Sequence, residues 1–282
     1  MSGAELAPAA TAFGQAVGTV VRCRACGHGS LLEPPEVDAL VTAYAHVADE
    51  ATLEEEPGQT ATSRRDLLEV RQHLDGGPRR LLDVGCWTGS LLDAATELGW
   101  DAAGVEPSAW AAGRAVERGH EVTVGTLDDV ELAPSSVQVV ACCDVLEHLD
   151  DPVQALRRIF ELLEPGGLLF ATVPDAGSAF ARLLGRRWWS VLPMHVQHFT
   201  RSSLVAALTA AGFEVVALHT HPKVFTYRYY GERLAEFLPV VGPAAAGIID
   251  RSPLAERAFG PDLRDRTAVI ARRPPTSGGP PA

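Results

Sequence analysis

The 282-residue sequence lacks an excess of basic side chains, since it has 24 Lys and Arg against 36 Asp and Glu and a formal net charge of -12. A chain this acidic repels phosphate backbones, so we do not expect nucleic acid as a partner. The sequence also lacks any run of the roughly 18 to 20 apolar residues that a membrane-spanning helix needs, so we expect no membrane segment. Its N-terminus has no basic region ahead of the apolar residues, which argues against a signal peptide.

Cysteines are few and odd in number. Five of them do not form the paired framework of a small secreted protein, and the adjacent pair lies in an apolar run that indicates buried thiols. We therefore expect a cytoplasmic protein. The five are Cys23, Cys26, Cys86, Cys142 and Cys143.

Two of the cysteines belong to the segment Cys23-Arg-Ala-Cys26-Gly-His28. Thiols and imidazoles are zinc ligands, but a structural zinc ion takes four of them and this segment offers three. We favour a degenerate zinc knuckle with free thiols. The alternative is a bound zinc ion whose fourth ligand, such as His46 or His73, comes from elsewhere in the chain.

A regular alternation of strand-like and helix-like segments runs from Arg80 to Val173. Apolar β-branched runs separated by amphipathic stretches predict βαβ units, and hence a parallel sheet with helices on both faces. The acidic stretch at 54–58 predicts a solvated linker before a helix from Ser63 to Leu74. We assign an N-terminal extension to 1–60, a main domain to 61–273 with an insertion at 221–261, and a disordered tail to 274–282.

One turn of this alternation has the features of a nucleoside site. In Asp83-Val-Gly85-Cys86-Trp87-Thr-Gly89 a strand passes into a helix, and glycine there allows a tight turn and the close approach of a ligand. The next strand ends in Glu106-Pro107, where a carboxylate can accept both hydroxyls of a ribose. Together these features predict an adenosine-binding βαβ unit.

The spacing of the glycines distinguishes between cofactors. Dinucleotide folds need G-x-G-x-x-G, which brings a helix N-terminus to a pyrophosphate, whereas Gly85 and Gly89 are spaced G-x-x-x-G. S-Adenosylmethionine has no phosphate, and its amino group suits the acidic Asp83. We therefore favour S-adenosylmethionine. Two alternatives remain open: an NAD(P)-dependent oxidoreductase, and a non-catalytic protein that binds the cofactor as a sensor or partner subunit.

Five segments in order carry a resemblance to a known family. They are Asp83-Val-Gly-Cys-Trp-Thr-Gly89, Asp144-Val-Leu-Glu-His148, Leu163-Glu-Pro-Gly-Gly167, Thr172-Val-Pro174, and the stretch from Gly185 to Thr200. These segments resemble the class I S-adenosylmethionine-dependent methyltransferases. The last one, with the N-terminal Cys-x-x-Cys, is similar to a small-molecule subgroup from sugar and secondary-metabolite biosynthesis. The family usually has glycine where this chain has Trp87.

The resemblance implies a Rossmann-like, doubly wound α/β fold. Its sheet would have seven strands in the order 3-2-1-4-5-7-6, with the last strand antiparallel. The resemblance also implies which residues surround the cofactor: the first motif near the methionine part, Glu106 and Pro107 at the ribose, and an acid after the third strand at the adenine. The expected cofactor residues are Asp83, Gly85, Cys86, Trp87, Gly89, Glu106, Pro107, Asp128 (with Asp129 as its alternative), Asp144 and Val145.

The expected reaction is a direct in-line transfer of the methyl group to a small-molecule acceptor. By analogy with the family, we expect the acceptor to be a hydroxyl of a sugar or secondary metabolite. A hydroxyl must lose its proton, and histidine suits that task at neutral pH. His195 lies in an aromatic segment and is the first candidate for a general base, with His148 as the second; the alternative for His195 is a role in fixing its loop. The insertion at 221–261 would wall the acceptor side.

Overall fold

A seven-stranded sheet forms the centre of the protein in a computed structural model, which describes residues 3–5, 18–35, 42, 45, 53, 55–237, 240, 242–255 and 257–275. The strands of this part of the chain are β1 (Gly3–Glu5), β2 (Thr19–Arg22), β3 (Gly29–Leu31), β4 (Arg80–Val84), β5 (Asp101–Glu106), β6 (Glu121–Val124), β7 (Val137–Cys143), β8 (Leu163–Pro174), β9 (Gln197–His198), β10 (Glu214–Thr220), β11 (Phe225–Thr226), β12 (Ala258–Phe259) and β13 (Arg266–Arg272).

The order of the central sheet is β10-β13-β8-β7-β4-β5-β6. Strands β4 to β8 pair in parallel with their neighbours, whereas β13 is antiparallel to both β8 and β10. We number these seven strands 1 to 7 in chain order, as β4, β5, β6, β7, β8, β10 and β13. Read from β6, the sheet then has the order 3-2-1-4-5-7-6, and its last strand in the chain, β13, is antiparallel. The predicted fold is therefore confirmed.

Helices cover both faces of this sheet because its strands bury side chains alternately on each face. Val140 and Leu169 pack against one apolar cluster, and Val139 and Leu168, their neighbours in sequence, pack against the other. The helices are Glu56–Gln72, Ser90–Glu97, Ala109–Glu117, Pro152–Leu162, Ala179–Leu184, Arg201–Ala210, Tyr227–Phe237 and Gly242–Asp250. None of the helices described is both long and apolar enough to cross a bilayer.

The first of these helices corrects a prediction. It begins at Glu56, so residues 56–58 are helical and do not form a solvated linker, and the helix does not start near Ser63. Pro57 occupies its first turn, where a backbone N–H has no partner within the helix and the fixed φ of proline is already helical. Proline and glycine at 57 and 58 thus mark the start of a helix.

The N-terminal extension is joined to the main domain by backbone pairing. Strands β1, β2, β3 and β9 form a second sheet, in which Gly29 pairs with His198 and Ser30 with Gln197. The insertion at 221–261 contains the short antiparallel pair β11–β12 and the two helices that follow β11. Of the predicted tail at 274–282, residues 276–282 lie outside the described part of the chain.

Candidate functional site

A cavity of about 1120 Å³ opens at the carboxyl ends of the parallel strands. Val84, Glu106 and Cys143, the last residues of β4, β5 and β7, all line it. The strand order reverses direction between β4 and β7, and open α/β sheets bind ligands at such a switch point. The predicted cofactor residues in its wall are Asp83, Gly85, Cys86, Trp87, Glu106, Pro107, Asp128, Asp144 and Val145.

Gly85 allows two segments of the cavity wall to approach closely. Its φ is +74°, and a Cβ atom added there would lie 2.5 Å from Cγ2 of Val145. Gly89 does not line the cavity; it precedes the helix Ser90–Glu97 with φ +91°, and an added Cβ would lie 3.1 Å from that of Ala115. The lack of a side chain at Gly89 therefore allows the turn to pack closely against Ala115. Its contact with the cofactor stays a prediction.

Trp87 stands where the resembled family usually has glycine, and its backbone explains that preference. Its φ is +48°, in the left-handed region that glycine adopts most easily. The amide of Trp87 donates a hydrogen bond to Oε2 of Glu106 at 3.0 Å, and its ring lies 5.8 Å from that of Trp110. The tryptophan thus keeps the backbone course of the turn and adds an aromatic wall to the cavity.

Two buried carboxyls give one end of the cavity an acidic character. Burial, and then the charge of Glu106, raise the pKa of Asp83 to about 8, and burial also raises the pKa of Glu106. No described Lys, Arg or His forms an ion pair with either carboxyl. A cationic ligand group would favour their ionised forms. The amino and sulfonium groups of S-adenosylmethionine carry that charge, so these residues fit the cofactor.

The structure separates the two candidates for the adenine contact. The carboxylate of Asp129 turns back to accept hydrogen bonds from the amide and hydroxyl of Thr126, at 2.7 and 2.9 Å. It therefore caps its own turn, whereas Asp128 lines the cavity. This placement supports the choice of Asp128.

Asp144 is a wall residue whose carboxylate is paired with two cations. It follows β7 with φ +58°, and its carboxylate is paired with Lys223 and Arg266 and accepts a hydrogen bond from Thr172 Oγ1 at 3.2 Å. Burial lowers the pKa of Arg266 to about 10. The charge of Asp66 also acts on Arg266, so two carboxylates balance these two cations.

The two histidines predicted as general bases lie against each other. Their ring centroids are 4.6 Å apart, and His148 lines the cavity whereas His195 does not. The Nδ1 atom of His195 donates to the carbonyl of Ser190 at 2.8 Å, which fits the alternative that it fixes its loop. Burial lowers the pKa of His148 to about 4 and that of His195 well below its ordinary value.

Glu147 completes a buried group with these two histidines. The potential ligand atoms of Glu147, His148 and His195 lie within 4.8 Å of one another. Burial raises the pKa of Glu147 to about 8, and its carboxyl oxygens have no hydrogen-bond partner among the described residues. One carboxylate and two imidazoles are a donor set that divalent metals accept.

A second buried pair in the cavity wall was missed from the sequence. Asp66 of the first helix and His221, just after β10, are separated by 155 positions, and Oδ2 of the one lies 2.7 Å from Nε2 of the other. Both line the cavity and are at most 5% exposed. The Nδ1 atom of His221 has no hydrogen-bond partner among the described residues. A carboxylate thus orients an imidazole whose other nitrogen is uncommitted.

The predicted zinc knuckle does not assemble three ligands in the structure. The ring nitrogens of His28 contact Oγ of Ser203 at 3.2 Å and Oε1 of Gln197 at 3.0 Å. Within the ranges that the structure describes, the potential ligand atoms of His28, Cys23 and Cys26 do not lie close enough together to hold one metal ion. The degenerate knuckle with free thiols stays a prediction. Of the two candidate fourth ligands, His46 lies outside the described residues.

Comparison with known proteins gives matches to methyltransferases. The chain matches a family described as a methyltransferase domain over residues 56–218, more than half its length. It is similar to the ubiquinone biosynthesis O-methyltransferase of Paracidovorax citrulli (28% identity, covering 57% of this chain and 75% of that one). It is also similar to the protein of that name from Pseudomonas aeruginosa (32% identity, 54% and 71%). The fold matches an S-adenosylmethionine-dependent methyltransferase structure from Archaeoglobus fulgidus with a TM-score of 0.54, at 19% identity and covering 79% of this chain and 100% of that one.

Proposed function

The chain belongs to the methyltransferase-domain family and is an S-adenosylmethionine-dependent methyltransferase, and we propose that it methylates a hydroxyl group of a small molecule. Family membership decides against the NAD(P)-dependent oxidoreductase. The observation that carries the proposal is the Asp66–His221 pair in the wall of the cofactor cavity. A hydroxyl must lose a proton as it becomes methylated, and this pair supplies a base for that proton. The similar curated proteins are likewise named O-methyltransferases.

The chemistry divides between the cofactor and the protein. When bound, S-adenosylmethionine supplies an electrophilic methyl group on a positively charged sulfur. Asp66 accepts the Nε2–H of His221, which leaves a lone pair on Nδ1. We propose that Nδ1 takes the proton of the acceptor hydroxyl, whose oxygen would bond to the methyl carbon while the carbon–sulfur bond breaks and S-adenosylhomocysteine leaves. The carboxylate of Asp66 then stabilises the imidazolium that results.

The other histidines are less suited to this step. A general base works best when its pKa is near the operating pH, and burial lowers the pKa of both His148 and His195 far below neutrality. His195 is also absent from the cavity wall. We therefore transfer the predicted role of base from His195 to His221, and we assign His195 to the support of the loop around His148.

The acceptor is proposed to be a small molecule that enters beside the insertion at 221–261. Lys223, Val224 and Phe225 line the cavity from this segment, next to His221. They offer an apolar surface with one cation, which suits a ring bearing a hydroxyl. The resemblance of the sequence to enzymes of sugar and secondary-metabolite biosynthesis supports sugar and phenolic acceptors alike.

The test is methyl transfer from radiolabelled S-adenosylmethionine to a panel of catechols, phenols and sugars, with wild-type protein and with Asp66→Asn and His221→Ala variants. A positioned general base contributes about 10²- to 10⁴-fold to a rate. We expect kcat to fall by a factor in this range for His221→Ala, and the affinity for S-adenosylhomocysteine to stay unchanged. The fall should shrink as pH rises, because hydroxide and ionised acceptor replace the base.

The chain offers a matched control on the same two elements. Glu69 and His219 form a second carboxylate–histidine pair at 2.8 Å, but neither residue lines the cavity. Glu69→Gln should leave kcat unchanged. Transfer only to amines, or equal losses for Asp66→Asn and Glu69→Gln, would contradict the proposal. Cofactor binding without transfer to any acceptor would favour the non-catalytic alternative.

A further inference from the structure

A second cavity, of about 490 Å³, lies between the N-terminal sheet and the segment after β8. Three arginines line it: Arg22 at the end of β2, Arg24 from the Cys-x-x-Cys turn, and Arg182 from the short helix Ala179–Leu184. No residue described in its wall is acidic, although the whole chain has 36 acidic and 24 basic residues. The cavity is therefore a concentration of positive charge in an acidic protein, and it shares no wall residue with the cofactor cavity.

The described carboxylates do not neutralise these arginines. None of them forms an ion pair with Arg22, Arg24 or Arg182, and Nη1 of Arg22 donates only to the carbonyl of Gly27, at 3.3 Å. Arg22 is half-buried, and the loss of hydration lowers its pKa. Keeping a cation partly out of water without an anion costs free energy, and a bound anion would offset that cost.

Two acids that contact residues of the cavity wall are engaged elsewhere. Asp175 lies 3.4 Å from the guanidinium of Arg201 and accepts a hydrogen bond from the amide of Gly177 at 2.9 Å. Asp265 accepts a hydrogen bond from Nε1 of Trp188 at 3.1 Å. These two carboxylates stabilise the wall of the cavity and do not form ion pairs with its three arginines.

His198 adds a hydrogen-bonding group to the same wall. It is 3% exposed, and its Nε2 atom has no hydrogen-bond partner among the described residues. Burial, and then the charge of Arg22, lower its pKa to about 4, so the ring is neutral at neutral pH. A buried ring nitrogen without a partner is costly unless a ligand or water satisfies it.

We propose that this cavity binds a small phosphorylated molecule, whose phosphate is held by Arg22, Arg24 and Arg182 and contacted by His198. The planar guanidinium group donates paired hydrogen bonds that match the oxygens of a phosphate. The cavity volume is larger than a phosphate ion needs and falls in the range of small-molecule sites. Trp188 and Val191 give the rest of the wall an apolar part, which suits the organic portion of a phosphate monoester.

The experiment is calorimetric titration with glucose 1-phosphate and, separately, with inorganic phosphate, in a phosphate-free buffer of low ionic strength. Saturating S-adenosylhomocysteine keeps the cofactor cavity filled, so that any heat reports another site. We expect one site that binds the ester more tightly than inorganic phosphate and that weakens as salt is added. Arg182→Ala and Arg22→Ala should each weaken binding by about tenfold or more, the effect of losing a charge-assisted hydrogen bond.

Arg182 is exposed, so its truncation does not threaten the fold, and unchanged affinity for S-adenosylhomocysteine checks this. Arg71→Ala is the matched control, since Arg71 is exposed, lies outside both cavities and has no described acidic partner. Absence of binding in the folded wild type would overturn the proposal, as would equal weakening by Arg71→Ala. An ester that binds no more tightly than inorganic phosphate would overturn the assignment to an organic ligand.

Discussion

Truncation of Glu106 tests the cofactor site most directly. Its Oε2 and Oε1 atoms accept hydrogen bonds from the amides of Trp87 and Ser108, at 3.0 and 2.8 Å. Each carboxylate oxygen can accept a second hydrogen bond, so both remain available to the ribose hydroxyls. Hydrogen bonds to a charged group contribute about 1.5–3 kcal/mol. Glu106→Ala should therefore weaken the binding of S-adenosylhomocysteine by about ten- to a hundredfold.

The same substitution has a second effect, which the experiment must separate. Alanine leaves the amides of Trp87 and Ser108 without their acceptor, and a buried amide without a partner costs about 1–3 kcal/mol. We therefore expect a lower melting temperature as well as weaker binding. Calorimetric titration well below the melting temperature measures affinity on folded protein, and thermal denaturation measures the loss of stability.

Asp129→Ala provides the comparison for Glu106→Ala. The carboxylate of Asp129 also accepts a backbone hydrogen bond, from Thr126 at 2.7 Å, but Asp129 does not line the cavity. Its loss should lower stability without weakening binding. The assignment of Glu106 is refuted if folded Glu106→Ala binds S-adenosylhomocysteine as tightly as the wild type, or if Asp129→Ala weakens binding to the same extent.

Two further substitutions test the packing and the charges of the site. Gly85→Ala should abolish calorimetric binding of S-adenosylhomocysteine, because its Cβ would lie 2.5 Å from Cγ2 of Val145 at φ +74°; unchanged binding would contradict this. Burial raises the pKa of Glu147 from 4.5 to about 8. Between these pH values the folded state holds a proton that the unfolded state has released, so the free energy of unfolding falls as pH rises from about 4.5 to 8. Glu147→Gln should remove this pH dependence and raise the free energy of unfolding by roughly 3 kcal/mol at pH 7. Urea denaturation measures this free energy, and a pH dependence like that of the wild type would contradict the prediction.

The sheet could be predicted because local patterns determine it. Runs such as Val137–Cys143 are apolar at every position except Gln138, as expected of strands buried on both faces, and Gly99 and Gly119 follow the ends of two intervening helices. The start of the first helix was misplaced because Pro57 and Gly58 are also typical of linkers. A local signal could have separated Asp128 from Asp129, since Thr126 and Asp129 have the spacing of a capping box.

The proposed general base, His221, could not be predicted from local patterns. Asp66 lies in the first helix and His221 follows β10, and nothing in either segment indicates the other. Their contact depends on where the helix crosses the sheet, which is a property of the tertiary packing. Aromatic residues near His195 in the sequence favour it as a base, but its side chain is buried and does not line the cavity. Which histidine lines the cavity can therefore be read only from the folded structure.

Gln197 connects the N-terminal extension to the cofactor cavity. Its Oε1 atom accepts hydrogen bonds from Ser30 Oγ at 2.8 Å and contacts the ring of His28, and its Nε2 atom donates to the carbonyls of Leu149 and Asp150. These carbonyls follow the group of Glu147 and His148 directly, in a loop that lines the cavity. The segment from Cys23 to Ser30 therefore supports this loop through His28, Ser30 and the pairing of β3 with β9. The extension thus contributes to the wall of the cavity, because Gln197, which holds the loop at Leu149 and Asp150, is itself held by side chains of the extension.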